Sequence, residues 1–251
     1  MTSTPVRINP RIRERRIEVQ REAGRRRLRV VLVVTSLLSA AGLVFLTITS
    51  PLLDIDSVRV AGARHVTVAQ VRAASGVHVH DHLLFVDTAA VARRLERLPW
   101  IERASVQRDL PGTLKIEVTE YKPAAFVRIK GGVMLVAANG HVIAPARAAP
   151  AHTVEVRGVR HAPGAGQLLS PPDAAGVVSR LPDALAARVA AVDVRGSDFV
   201  LALVGGGEIR LGDTSDLDAK AASAQAVLTR LGTGHFSYID VSTPPRPVSH
   251  A

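Results

Sequence analysis

The chain contains no cysteine, which excludes disulfides, cysteine-ligated zinc and thiol catalysis together. Familiar catalytic signatures are missing as well. There is no Gly-x-Ser-x-Gly elbow, no Gly-x4-Gly-Lys-Ser/Thr phosphate loop and no His-Glu-x-x-His pair. Charge is missing from one stretch, because Val30 to Leu53 holds no Asp, Glu, Lys or Arg. Roughly 20 apolar residues in a helix rising about 1.5 Å each cross a hydrocarbon core about 30 Å thick. Residues 30–50 are therefore expected to form a transmembrane helix. A soluble core helix would show a polar face that this run lacks.

Arginine is abundant on one side of the run only. Residues 1–29 hold ten Arg and three Glu, a charge of +7 out of a total of +10. Positive charge beside a first span keeps that end in the cytoplasm, so residues 1–29 read as a basic cytoplasmic tail, with the remainder outside. Ser39-Ala40-Ala41 resembles a signal-peptidase site. Cleavage there would leave the apolar Gly42–Ile48 at the new terminus, so an uncleaved anchor is preferred. Beyond the tail, 22 basic residues face 19 acidic ones. Such near-neutrality gives no footprint for nucleic acid, and the tail is better matched to anionic lipid head groups.

Past the span, Ile55 to Val60 alternates apolar and polar, as a half-buried strand does. Thr67 can cap a short helix that Gly76 stops. Asp87 can cap a second, with Val91, Leu95 and Leu98 at helical spacing and Pro99 ending it. Ile101–Arg108, a Leu110-Pro111-Gly112-Thr113 turn and Leu114–Glu120 then form two strands. Trp100 is expected to plug this module's core, an exposed contact role being the lesser reading. Further on, Phe126–Lys130, Met134–Ala138, His141–Ile143 and Thr153–Arg157 read as short strands, with Asn139-Gly140 a hairpin signal. Pro172–Ala187 reads as a helix broken near Pro182. Val189–Val194, Phe199–Val204 and Glu208–Leu211 form a meander that turns at Gly205–Gly207. Gly212 to Ser215 cap a long helix, Leu217–Leu231. Tyr238–Ser242 is a last strand, which Pro244, Pro245 and Pro247 keep from continuing.

An N-terminal basic tail, one span and a β-α-α-β-β module resemble the FtsQ/DivIB family of bacterial cell-division proteins, whose module is a POTRA domain. The match is carried by Ile55–Gly62, Leu83–Asp87, Leu98-Pro99-Trp100-Ile101 and Arg108–Glu120 running into Lys122-Pro123-Ala124. Arg210–Lys220 followed by Tyr238–Val241 resembles the end of the family's β-domain. The implied fold class is α+β: the transmembrane helix, a POTRA domain at 55–122, an FtsQ/DivIB-type β-domain at 123–243 and a disordered tail at 244–251. The implied function is a division scaffold, not an enzyme, in the cell membrane at the septum. It would bind FtsB/DivIC-like and FtsL-like single-pass coiled-coil proteins and help assemble the septal peptidoglycan machinery. No cofactor and no small-molecule substrate is implied. Carried over by position, partner contacts fall on Leu217, Lys220 and Ala224 of the helix and on Tyr238, Ile239, Asp240, Val241 and Ser242 of the strand.

Two other classes are open. A POTRA-bearing translocation protein would add a barrel of alternating strands, and no such pattern follows. An anchored envelope hydrolase would need an acid/base, nucleophile or metal constellation. The one cluster of that kind is His78, His80, Asp81 and His82, whose alternating imidazoles would ligate zinc if they shared a strand face. A polar loop between the two helices is the simpler reading, so no metal site is assigned. Asp213 and Asp216 read as helix-cap and first-turn charges.

Overall fold

The computed structural model describes residues 28–46, 50, 53–159, 164–232, 236–244 and 246–250. The expectation for the basic tail falls outside these residues up to 27. Helix α1 (Leu28–Leu46) has a mean hydropathy of 2.2 and is long and apolar enough to cross a membrane.

The first module runs β1 (Ser57–Ala61), α2 (Val68–Ser75), α3 (Thr88–Leu95), β2 (Ile101–Asp109) and β3 (Thr113–Glu120). Its sheet order is β1-β3-β2, with β1 parallel to β3 and β2 antiparallel to it. The helix ends follow from their caps. Thr67 and Gln70 make a reciprocal capping box, and Gly76 closes α2 in the left-handed region at φ 64°. The Asp87 carboxylate accepts the Ala90 N–H at 2.9 Å and starts α3. Val71, Val91 and Leu95 then face Ile101, Leu114, Ile116 and Val118 in one core.

The second module contains β4 (Pro123–Ile129), β5 (Gly132–Ala137), β6 (Val142–Ala146), β7 (Val154–Arg157), α4 (Asp183–Ala186), β8 (Val189–Arg195), β9 (Asp198–Leu203) and β10 (Glu208–Gly212). It ends with α5 (Leu217–Leu231), β11 (Tyr238–Asp240) and β12 (Val248–His250). The strands form one sheet in the order β12-β11-β10-β9-β8-β7-β4-β5-β6.

Two local expectations are corrected. The broken helix expected at Pro172–Ala187 is instead two short 3-10 turns, Pro172–Ala175 and Val178–Arg180, before α4. Leu181 is extended at ψ 153°, as a residue before proline prefers, and Ala174, Ala175 and Val177 are spent on the core. The segment 244–251, expected to be disordered, contains β12. β11 ends at Asp240, four residues before Pro244, and residues 248–250 return antiparallel beside it.

The modules meet at a short passage. Only Tyr121 and Lys122 separate β3 from β4. Trp100 packs against both cores and stacks on His65 with ring centroids 4.0 Å apart. Its role is thus neither a plug nor an exposed contact. It is a joint. Tyr121 stacks on His141 at 4.3 Å, and His141 Nε2 lies 3.0 Å from the Pro99 carbonyl.

At the same place the Glu120 carboxylate gathers the loop before α2. It accepts the N–H groups of Arg64, His65 and Val66 at 2.8 to 3.1 Å and bonds His65 Nδ1 at 2.8 Å. Burial would raise this acid, but the Val66 and Arg64 N–H groups and the His65 ring outweigh it and hold the pKa at about 2. A depressed acid stabilises the fold above its unfolded pKa, and that stability is lost as pH falls through the folded value. Denaturation of the full chain in detergent should therefore show a fall in stability between pH 4.5 and 2, of up to about 3 kcal/mol from this group. In the Glu120→Gln variant that acid limb should flatten, and the stability at pH 7 should already be lower by roughly 1–3 kcal/mol. An unchanged acid limb would remove Glu120 as its cause.

Candidate functional site

The residues marked out for partner contact lie on α5 and β11, and the structure brings the two elements together. Their side chains are divided between core and surface. On α5, Leu217, Lys220, Ala221, Ala224 and Leu228 are the buried positions, the inward stripe of a 3.6-residue period. Ile239 on β11 and Val241 just past its end are fully buried. Leu217, Lys220, Ala224, Ile239 and Val241 therefore have their side chains in the core. Tyr238 and Asp240 are half-buried and Ser242 is exposed. These three remain as surface.

Lys220 is the least expected of the buried group, at 3 % exposure. Its ammonium donates to the Asp213 carboxylate at 2.6 Å and to the Asp213 carbonyl at 3.0 Å. Lys220, followed by the Ser215 hydroxyl and N–H, holds the Asp213 carboxyl at about 2. Asp213 is thus a counter-charge for Lys220, and it does not cap α5. Asp216 stands at the N-cap with φ 47° and no side-chain cap bond. The long stem of Lys220 fills core volume while its charge is satisfied at the loop.

β11 lies between two unequal neighbours. On one side it is parallel to β10, pairing Glu208 with Tyr238, Ile209 with Ile239 and Arg210 with Asp240. On the other it is antiparallel to β12, pairing Tyr238 with His250, Ile239 with Ser249 and Asp240 with Val248. All three β12 residues are exposed. The segment is held by the Ser237 N–H to the His250 carbonyl at 2.8 Å, by Ser223 Oγ donating to the Pro244 carbonyl at 2.8 Å, and by a Tyr238–His250 stack at 5.7 Å. The opposite edge of the sheet, β6, carries Pro145 opposite Met134, and proline blunts an edge.

Sequence reasoning missed the groups that shape this surface. Arg210 places its guanidinium 3.9 Å from the centre of the Tyr238 ring. Glu208 lies between Arg195 at 2.7 Å and Arg210 at 2.8 Å, and Arg195, then Arg210, hold its carboxyl low despite burial. Asp240 accepts the Ser242 N–H at 2.9 Å and hydroxyl at 2.7 Å. The alternation of Glu208 and Arg210 was the available signal, but their partner Tyr238 lies 28 residues away from Arg210 in sequence.

The histidine cluster is a loop, not a strand face. His80 is at φ 74°, His78 Nδ1 is 3.8 Å from Asp81, and His82 turns edge-on to Phe85 at 4.9 Å. Among the described residues no three metal-capable side chains converge.

Two family models match the chain: POTRA domain, FtsQ-type, over residues 53–121, and Cell division protein FtsQ/DivIB, C-terminal, over residues 125–242. The chain is 34% identical over 242 residues to the cell division protein FtsQ of Streptomyces collinus, covering 91% of this chain and 90% of that one. It is 30% identical over 207 residues to the FtsQ of Corynebacterium glutamicum, covering 81% and 90%. Over 116 residues it is 35% identical to the cell division protein DivIB of Streptococcus gordonii, 45% of this chain and 28% of that one. With both modules matched in order behind one apolar helix, this chain belongs to the FtsQ/DivIB family of cell division proteins.

Proposed function

We propose that this chain is a non-enzymatic scaffold of the division machinery. It is anchored by α1 with the basic tail in the cytoplasm and acts at the septum, where it helps assemble the septal peptidoglycan machinery. Its partners are FtsB/DivIC-like and FtsL-like single-pass coiled-coil proteins, and an extended segment of one of them pairs with the outer edge of β11. The supporting observation is the weakness of what occupies that edge. β12 spans three residues, all exposed, on a strand whose other side is anchored by Ile239 and Val241 in the core. An incoming strand can take over its main-chain bonds by β-augmentation, with Tyr238 and Asp240 read as side chains.

On this reading the 248–250 segment competes with the partner. Titrating the partner's extracytoplasmic segment against the full chain, and against a chain ending at Pro247, should give several-fold tighter binding to the shorter one. Loss of binding on truncation would place the partner on β12 itself and overturn displacement.

Asp240→Lys introduces an edge lysine of the kind that discourages strand addition and opposes the Ser242 bonds. About tenfold weaker binding, or ~1.4 kcal/mol, is expected with the unfolding midpoint nearly unchanged. Charge reversal at exposed Ser242, as Ser242→Glu, should act the same way beside Asp240. Equal affinities in both variants would remove the edge from the partner site.

Lys220→Ala serves as the contrast. It should lower stability by about 2 kcal/mol through lost packing and pairing, while the folded fraction binds the partner as before. In dividing cells the fluorescently tagged full chain should gather at mid-cell. A uniform envelope signal through division would defeat the scaffold reading.

A further inference from the structure

The first module carries a second surface, at the end where the chain enters it. The chain leaves α1 at Leu46 and stays uncharged through Leu53. From Leu46 to Asp54 is eight residues, a reach of at most about 29 Å even when fully extended. Asp54 makes an isolated bridge with His82. The Ile55 N–H donates to the Asp81 carbonyl at 2.8 Å, and the His80 N–H to the Ile55 carbonyl at 2.9 Å. The Asp56 and Ser57 N–H groups donate to the Gly112 carbonyl at 2.8 and 3.2 Å. These bonds fasten the α2–α3 loop and the β2–β3 turn beside the entry point.

The two loops display apolar side chains to solvent. Val79, Phe85 and Leu110 are 55, 71 and 60 % exposed. Among the described residues elsewhere in the two modules, the exposed large apolar side chains are Val68, Leu168, Val204 and Val248, on separate elements, as ordinary surfaces have them. Here they share one end. Phe85 is braced edge-on by His82 at 4.9 Å, and Arg108 is tied to the same loop by its bond to the Val86 carbonyl at 2.7 Å. An aromatic ring and aliphatic tips with an arginine beside them suit the head-group layer of a bilayer.

We propose that Val79, Phe85 and Leu110 seat in the interfacial layer of the leaflet from which α1 emerges, so that the first module rests on the lipid and does not swing on a free tether. The proposal depends on α1 spanning the membrane, and it holds for either orientation of the span. Asp54, Asp81 and Asp109 lie at the same end, so the attraction comes from apolar burial and needs no anionic lipid.

The absence of cysteine makes the test clean. Single variants Val79→Cys, Phe85→Cys and Leu110→Cys of the full chain, in phosphatidylcholine nanodiscs, would each carry a spin label. Ala40→Cys in α1 and Val204→Cys in the β9–β10 turn serve as references. Collisions with oxygen should exceed those with a water-soluble nickel chelate at residues 79, 85 and 110, and at 40, with the reverse at 204. If residue 40 reads as aqueous, the span itself fails. If residue 40 reads as lipid and the three loop sites as aqueous, the seating is overturned. Shielding of the three sites from both reagents would mean that protein covers them, and would also overturn it.

Discussion

The arrangement of the molecule depends on the passage from Glu120 to Pro123. A carboxylate at the end of β3 holds three successive amides of the loop before α2. Three residues later the chain is already in the second sheet. Trp100 spans both cores there, with its carbonyl accepting the Tyr121 N–H at 2.9 Å. A linker this short, with aromatic rings packed on both sides of it, joins the two modules firmly. The register of β11 is therefore referred back, through packed structure, to β1.

Charge in this protein is used for construction. Glu155 lies between Arg128 and Arg157, Glu208 between Arg195 and Arg210, and Asp213 against Lys220. Each carboxyl is pulled down by its basic partner, the opposite of the raised acid that proton transfer near neutrality calls for. These pairs flank strands and the start of α5, where they fix register and loop geometry.

Much of the fold was legible because its signals are local. Thr67 with Gln70, Asp87 with Ala90, and Gly76 in a left-handed turn are contacts within a few residues, so the helix boundaries followed from the chain itself. Leu217–Leu231 was readable from its composition and flanking glycines. The 172–187 stretch was not, because five alanines favour a helix in isolation while burial against the sheet and Pro182 impose short turns. The candidate site was half legible. Helix and strand were correctly paired, yet five of the eight residues carried over face the core, because position along an element does not say which face the neighbours cover.

The sequence by itself determined the apolar span and most of the element order, which rest on periodicity, caps and composition along short stretches, while the family followed from a resemblance in stretches such as Leu98–Ile101 and Arg108–Glu120. Tertiary structure alone decided that Lys220 is buried on Asp213, that Trp100 joins two cores, that 248–250 returns to cover β11, and that Val79, Phe85 and Leu110 share one end. Those facts join residues up to dozens of positions apart, and only the closing of the sheets and the folding of loops onto β1 brings them within contact distance.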